Sequence, residues 1–217
     1  MELKNPAKLE PLYLLLHKLG KITKPKTYLE IGTYEGASAS SLLVSNEEMT
    51  RHLWRYDGTL SEDVIEKLKL ALATSEDQPK LYLFDNWSYR ANELLVRSLL
   101  TKVFNANFEM FAGDSHQTVS KFFRTHGGII DLCLVDGDHT DEGALKDLED
   151  VYSKCKIIVF HDITHPSCPG LKKVFLDFCD RHDLKHYETS YMCGMGLAVD
   201  LNLYPGCPIT AIEDLFE

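Results

Sequence analysis

The chain runs to 217 residues, 44% hydrophobic and 26% charged, a balance that suits one ordinary globular domain and excludes a disordered or fibrous chain. Its formal net charge of −10 at pH 7 sets an acidic surface against phosphate backbones and anionic lipid, so neither nucleic acid nor a membrane surface is an expected partner. No stretch reaches the ~18 consecutive apolar residues of a membrane helix, and the opening MELKNPAKLEPLYLLLHKLG lacks the apolar core and cleavage site of a signal peptide.

Residues 8–19 predict an N-terminal helix with Pro11 near its first turn, where a missing N–H is tolerated. The basic run KLGKITKPK, 18–26, reads as a solvated loop leading out of it. KTYLEIGT, 26–33, is a short apolar strand ending in a glycine turn, and ASASSLLV, 37–44, opens a helix of small residues. Val64, Ile65, Leu68 and Leu72 recur at helical spacing within 61–73, behind acidic residues. LYLFDNW, 81–87, is a strand, and a helix follows around Leu94, Leu95 and Leu99. Trp87 and Tyr89, beside that strand end, read either as a pocket wall or as core.

NFEMFAGDS, 107–115, is a further strand running into a polar turn. IIDLCLVD, 129–136, is another, and the helix after it has Thr140 as cap, Asp141 and Glu142 in its first turn, and Ala144, Leu145, Leu148 and Val151 on one face. KIIVFHD, 156–162, is a strand, followed by a helix with Leu171, Val174, Phe175 and Phe178 facing inward. HYETSYMCGMGLAVDL, 186–201, closes the pattern as two strands around a glycine turn. Continuous apolar strands alternating with amphipathic helices predict a parallel sheet covered on both faces, whose ligands bind outside the carboxyl ends of the strands. Five of these strands stop at polar residues on that side: Glu30 and Gly32, Asp85, Asp114, Asp136, and the pair His161 and Asp162. The six cysteines form no CxxC pair and several sit in apolar runs, which points to a reducing compartment, the cytoplasm.

The turn YLEIGTYEG carries Glu30, Gly32 and Gly36 in an E-x-G-x-x-x-G spacing. A glycine after a strand lets the backbone approach a ligand where a Cβ would collide; equally, such glycines can serve packing alone. Tyr34 and Ala37 stand where the dinucleotide fingerprint needs glycines, and no Gly-Lys-Ser/Thr follows, so phosphate cradling is disfavoured. YLEIGTYEGASAS resembles the first motif of class I S-adenosylmethionine-dependent methyltransferases, and in particular their metal-dependent catechol and macrocin O-methyltransferase branches. That resemblance implies a Rossmann-like, seven-stranded and mostly parallel sheet with helices on both faces and an antiparallel C-terminal strand. It implies a single domain over 1–217, with 1–25 as an N-terminal helical segment and 46–80 as an insertion before the second core strand, a lid or subunit contact. By the same resemblance Gly32 and Gly36 line the methionine part of the cofactor, S-adenosylmethionine, with Glu30, Tyr34 and Ser38 near it. Asp85 takes the ribose hydroxyls, Asp57 being the competing candidate, and Asp114, Ser115 and His116 surround the adenine.

The stretch LVDGDH poses the sharpest question, since it carries a buried-looking strand into Asp136, Asp138 and His139. Neighbouring parallel strands lie ~4.8 Å apart, so Asp136 and Asp162 can meet in one site if their strands are adjacent. Two unpaired carboxylates repel, and a divalent cation removes that penalty. Oxygen ligands suit Mg²⁺, Mn²⁺ or Ca²⁺, and a nitrogen from His161 tilts the choice towards Mn²⁺. The resemblance places Asp136, His161 and Asp162 on the branch's three metal positions, although an oxygen ligand is usual where His161 stands. His139 falls where the catechol enzymes place a catalytic lysine, which makes it the expected base, with Asp138 as a second possibility. Capping of the helix after Thr140 is the plainer use of Asp138 and His139. His165 and Cys168 suggest a zinc pair only through their proximity in a proline-rich loop.

The expected activity is therefore O-methylation of a small-molecule hydroxyl. A metal-independent methyltransferase and an inactive cofactor-binding regulatory or scaffold protein are the alternatives, and the failed fingerprint disfavours a nicotinamide oxidoreductase. A homo-oligomer is allowed for, the C-terminal segment PGCPITAIEDLFE being able to extend over a neighbouring subunit.

Overall fold

The apolar runs of the sequence become the strands of one sheet in a computed structural model of the protein, which describes residues 11–56, 60–88, 92–190 and 193–216. The strands are β1 (Thr27–Ile31), β2 (Lys80–Asp85), β3 (Phe108–Ala112), β4 (Ile130–Val135), β5 (Cys155–His161), β6 (Lys185–Thr189) and β7 (Met195–Val199). They lie in the order β3-β2-β1-β4-β5-β7-β6. Pairing is parallel from β3 through β5, and β7 runs antiparallel to both β5 and β6. This is the expected Rossmann-like sheet. Its order reverses between β1 and β4, and a crevice opens at such a switch point because the connections leave on opposite faces.

Successive strand residues point to opposite faces, so each apolar strand feeds two cores. On one face Tyr28, Leu81, Leu83, Leu132, Leu134, Ile157 and Val159 pack under α1 (Pro11–Thr23), α2 (Ala37–Ser41), α3 (Glu47–Tyr56), α4 (Glu62–Ala71) and α5 (Glu93–Lys102). On the other, Leu29, Ile31, Phe84, Cys133, Val135, Ile158 and Phe160 pack under α6 (Ser115–His126), α7 (Asp141–Val151) and α8 (Leu171–Arg181). Ser61, Asn92, Asp114 and Thr140 cap α4, α5, α6 and α7, each side chain accepting a backbone N–H that the first turn leaves free.

The structure corrects several local expectations. Residues 8–10 of the first helix lie outside the described residues, and the helix runs on to Thr23, so Lys18 and Lys21 sit on it rather than in a loop. Gly20 permits that extension to lie against α2, since a Cβ there would stand 2.9 Å from Leu42 Cδ2. The 46–80 stretch holds α3 as well as α4, and Leu53, Val64, Ile65 and Leu68 enter the core. Leu94 is 75% exposed, because α5 turns Val96, Leu99 and Leu100 inward instead. The C-terminal segment forms α9 (Ile209–Glu213) and packs on its own chain: Ile212 is fully buried, and Tyr187 Oη donates to Glu213 Oε1 at 2.9 Å.

At the amino ends of the strands one carboxylate locks β1 to β4. Asp131 Oδ2 accepts the backbone N–H of Lys26 at 2.8 Å and of Thr27 at 3.0 Å, while Oδ1 takes Lys156 Nζ at 2.6 Å. Burial raises its pKa, but Lys156 and the two amides outweigh burial and hold it below the usual range. Asp131→Ala leaves those amides unpaired and is expected to cost about 2–3 kcal/mol, read by urea denaturation. Because the folded pKa is the lower one, the wild-type advantage is present above about pH 4 and fades as the pH falls through the folded value.

Candidate active site

The crevice at the switch point is built by strand ends brought unusually close. After β1, Gly32 has φ +88, and a Cβ on it would collide with the carbonyl oxygen of Asp136. The amide of Asp136 in turn donates to Ile31 O at 2.9 Å, and Gly32 N donates to Phe84 O at 2.9 Å. Three strand ends are thus stitched together by backbone alone. Gly36 has φ +76 and its α-carbon faces Val96 of α5 instead, so it serves helix packing.

Around that seam lies a cleft of about 900 Å³. Gly32, Tyr34, Ser38, Asp85, Asp114, Ser115, His116, Asp136, Asp138, His139, His161 and Asp162 all line it. Glu30 and Gly36, also expected there, lie behind its wall. Leu12 and Tyr13 of α1, Glu35 and Cys193 line it as well and were not anticipated. Glu35 could have been suspected, as it sits inside the glycine turn; its Oε2 accepts Leu60 N at 2.9 Å and ties the entry of α4 to that turn. No local signal marked Leu12 and Tyr13, since an apolar pair on an amphipathic helix reads as core. Trp87 is half-buried against the core, while Tyr89 and Asp57 lie outside the described residues.

Asp85 sits at the end of β2 and holds both neighbouring turns. Its Oδ2 accepts Tyr34 N at 2.7 Å and its Oδ1 accepts Trp87 N at 2.6 Å. Tyr34 and Trp87 both have positive φ, at 50° and 56°, a strain the carboxylate offsets by fixing each turn. Behind the turn Glu30 is fully buried and accepts the Ser38 hydroxyl. Burial pushes its pKa up to about 8, against the opposing pull of Ser38.

Across the seam, Asp136 and Asp162 meet as their adjacent strands require. His161 Nδ1 lies 3.3 Å from Oδ1 of each, and His139 Nε2 lies 3.0 Å from Asp162 Oδ2 and 3.6 Å from Asp136 Oδ1. Asp162 has φ 62, the left-handed region, so the turn that presents it is strained. The hydrogen bond to Asp162 raises the His139 pKa over the opposing effect of burial, with Asp136 adding to the rise. Burial lifts Asp162, but the His139 bond and the charge of His161 outweigh it and keep its pKa low. Among the described residues, Asp136, His161 and Asp162 are the group of three side chains whose ligand atoms fall within 4.8 Å of one another. His165 and Cys168 join no such group there. Asp138 is engaged elsewhere: its Oδ1 accepts both the amide and the hydroxyl of Thr140 at 2.8 Å, the turn that admits α7. That bonding outweighs burial and holds its pKa down, and it braces Thr140, which itself caps α7.

A family model described as a methyltransferase domain matches residues 29–163. No curated protein matches the chain. Among solved structures, an O-methyltransferase from Bacillus cereus in complex with SAH aligns with a TM-score of 0.61 at 12% identity, covering 92% of this chain and 84% of that one. The O-methyltransferase TomG from Streptomyces achromogenes, involved in tomaymycin synthesis and solved with SAM, aligns at 0.57 and 16% identity over 87% and 79% of the two chains. The O-methyltransferase NovP gives 0.57 at 11% identity over 89% and 79%. At these identities the likeness is one of fold.

Glu30 offers a direct test of the buried wall. Its folded pKa of about 8 stands above the unfolded value of about 4.3, so its contribution to stability is full below pH ~4 and is lost as pH rises towards 8. Urea denaturation of wild type and Glu30→Gln between pH 5 and pH 9 (about one unit beyond the folded value) should show the variant with the flatter profile. Parallel profiles would mean that Glu30 is ionised in the folded chain.

Proposed function

The chain belongs to the methyltransferase-domain family, whose model spans residues 29–163, and from that premise we propose that it moves a methyl group from S-adenosylmethionine to a hydroxyl of a small molecule. The observation that carries this reading is the placement of Asp85 and Asp136 on either side of Gly32 in one cleft at the switch point of the sheet.

S-adenosylmethionine, when bound, supplies a methyl group on a sulfonium cation together with an ammonium. The cleft fits such a donor. Asp85, Asp114 and Asp136 give its rim negative charge. In this reading Asp85 accepts the ribose hydroxyls, Ser38 and the Gly32 turn hold the methionine end, and Asp114, Ser115 and His116 border the adenine. Gly36 supports the turn from behind.

His139 is the proposed base that takes the proton of the acceptor hydroxyl. With hydrogen on Nδ1, donated to Gly137 O at 3.1 Å, the neutral ring keeps a lone pair on Nε2 to take the proton, and Asp162 beside Nε2 stabilises the imidazolium that forms. Asp136, His161 and Asp162 have the donor set and spacing for Mn²⁺ or Mg²⁺, and such a cation would supply acidity to a coordinated hydroxyl. Asp162 orients the imidazole, and Asp138 fixes the turn that carries it. A metal-independent transfer is the second reading. The histidines His139 and His161 already face both carboxylates, so an ion is not needed to relieve their repulsion. The acidic chain favours an acceptor other than nucleic acid. Six free cysteines suit a reducing compartment such as the cytoplasm. Among the described residues no helix is long and apolar enough to cross a membrane.

Calorimetry with S-adenosylhomocysteine tests the donor site, and labelled S-adenosylmethionine offered with a panel of hydroxylated acceptors tests transfer. His139→Ala is expected to lower turnover by ~10²–10⁴. If the metal reading is right, EDTA and Asp136→Asn each abolish turnover and Mn²⁺ restores the EDTA-treated wild type. Chelator-insensitive turnover with His139 still required supports the second reading, and unchanged turnover in His139→Ala contradicts both.

A further inference from the structure

One buried carboxylate belongs to none of the roles above. Asp147, on α7, has no exposed surface, yet both of its oxygens are engaged by the two halves of the cleft. Its Oδ1 accepts the Ser115 hydroxyl at 2.7 Å, at the first residue of α6, and His116 Nε2 lies 3.3 Å away. Its Oδ2 accepts the backbone N–H of Asp138 at 3.2 Å, within the turn that carries Asp136 and His139. The fit is tight, since a Cβ on Gly137 would stand 2.8 Å from that same oxygen and 2.7 Å from Ile31 Cγ2.

A buried carboxylate that ordered only its own helix would be a costly way to do so, because desolvation opposes its charge. Asp147 instead joins segments that no backbone pairing connects: β4 and β3 are not neighbours in the sheet, with β1 and β2 between them. We propose that Asp147 is a positioning residue, whose carboxylate couples the α6 end of the cleft to the Gly137–Asp138 turn, so that a ligand seated at Ser115 and His116 stiffens the turn presenting Asp136 and His139. This rests on the reading of the α6 end as a donor subsite.

Burial raises the Asp147 pKa, the Ser115 and Asp138 bonds only partly opposing it. Asp147→Ala removes both acceptor oxygens; Asn would keep the bridge, since its amide nitrogen can donate to the Ser115 hydroxyl while its oxygen still accepts the Asp138 N–H. Ser115→Ala breaks it from the α6 side and leaves the turn's own residues intact.

Hydrogen exchange followed by mass spectrometry, with and without S-adenosylhomocysteine, measures the coupling without an acceptor or a metal. In wild type the ligand should slow exchange in the peptides covering both 115–119 and 136–140. In Asp147→Ala, exchange in the turn should be about tenfold faster without ligand, as expected for loss of the bond to the Asp138 amide, and ligand should protect only the α6 peptide. Equal ligand protection of the turn in the variant would overturn the proposal. Should Asp147→Ala fail to fold, Ser115→Ala at a ligand concentration that still protects the α6 peptide answers the same question: uncoupling of the turn supports the bridge, and wild-type coupling refutes it. If wild type binds no S-adenosylhomocysteine, the donor-site reading falls, and with it the meaning of the coupling.

Discussion

The cleft depends on one backbone contact. Gly32 and the carbonyl of Asp136 lie so close that no side chain fits between them, and this proximity draws the ends of β1 and β4 together where the sheet order reverses. The glycine was anticipated as an opening for a ligand. Its first duty is to the protein, and the turn beyond it lines the cleft as a consequence. With φ +88 it adopts a conformation that an L-residue would enter only with strain, so the local sequence and the tertiary contact require the same residue.

From that seam the chemistry divides. On the β1 and β2 side, carboxylates are spent on backbone: Asp85 fixes two left-handed turns, and Glu35 ties the entry of α4 to the glycine turn. On the β4 and β5 side, carboxylates face imidazoles, and the pairing of Asp162 with His139 shifts the two groups in opposite directions, the acid down and the base up. Strain collects at the same rim, with Tyr34, Trp87 and Asp162 all at positive φ. Such residues persist only where their surroundings hold them, and here carboxylate bonds, helix entries and strand pairing do so.

Much of this was legible in the sequence because apolar runs have few alternatives. Five strands that end in polar residues must, in a parallel sheet, present those residues on one edge, and Asp85, Asp114, Asp136 and Asp162 do line a single cleft. What escaped was set by tertiary contact. Helix α3 is strongly amphipathic but rich in charge, and its apolar face finds a core only once α1 and α2 are in place. The tail that forms α9 read as able to extend over a neighbouring subunit, and Ile212 and the Tyr187–Glu213 bond dock it on its own chain. Gly36 shares a motif with Gly32, and only the position of Val96 tells their duties apart. Asp147 reads in sequence as an ordinary helix residue; its two distant partners, Ser115 and Asp138, are visible only in three dimensions.

A crystal soaked with S-adenosylhomocysteine and Mn²⁺, with anomalous data collected at the manganese edge, bears most directly on whether this rim is one site. The expected map has the homocysteine end over the Gly32 turn, the ribose against Asp85, and a manganese peak among Asp136, His161 and Asp162. Ligand density on another face of the sheet, away from the seam between Gly32 and Asp136, would contradict it.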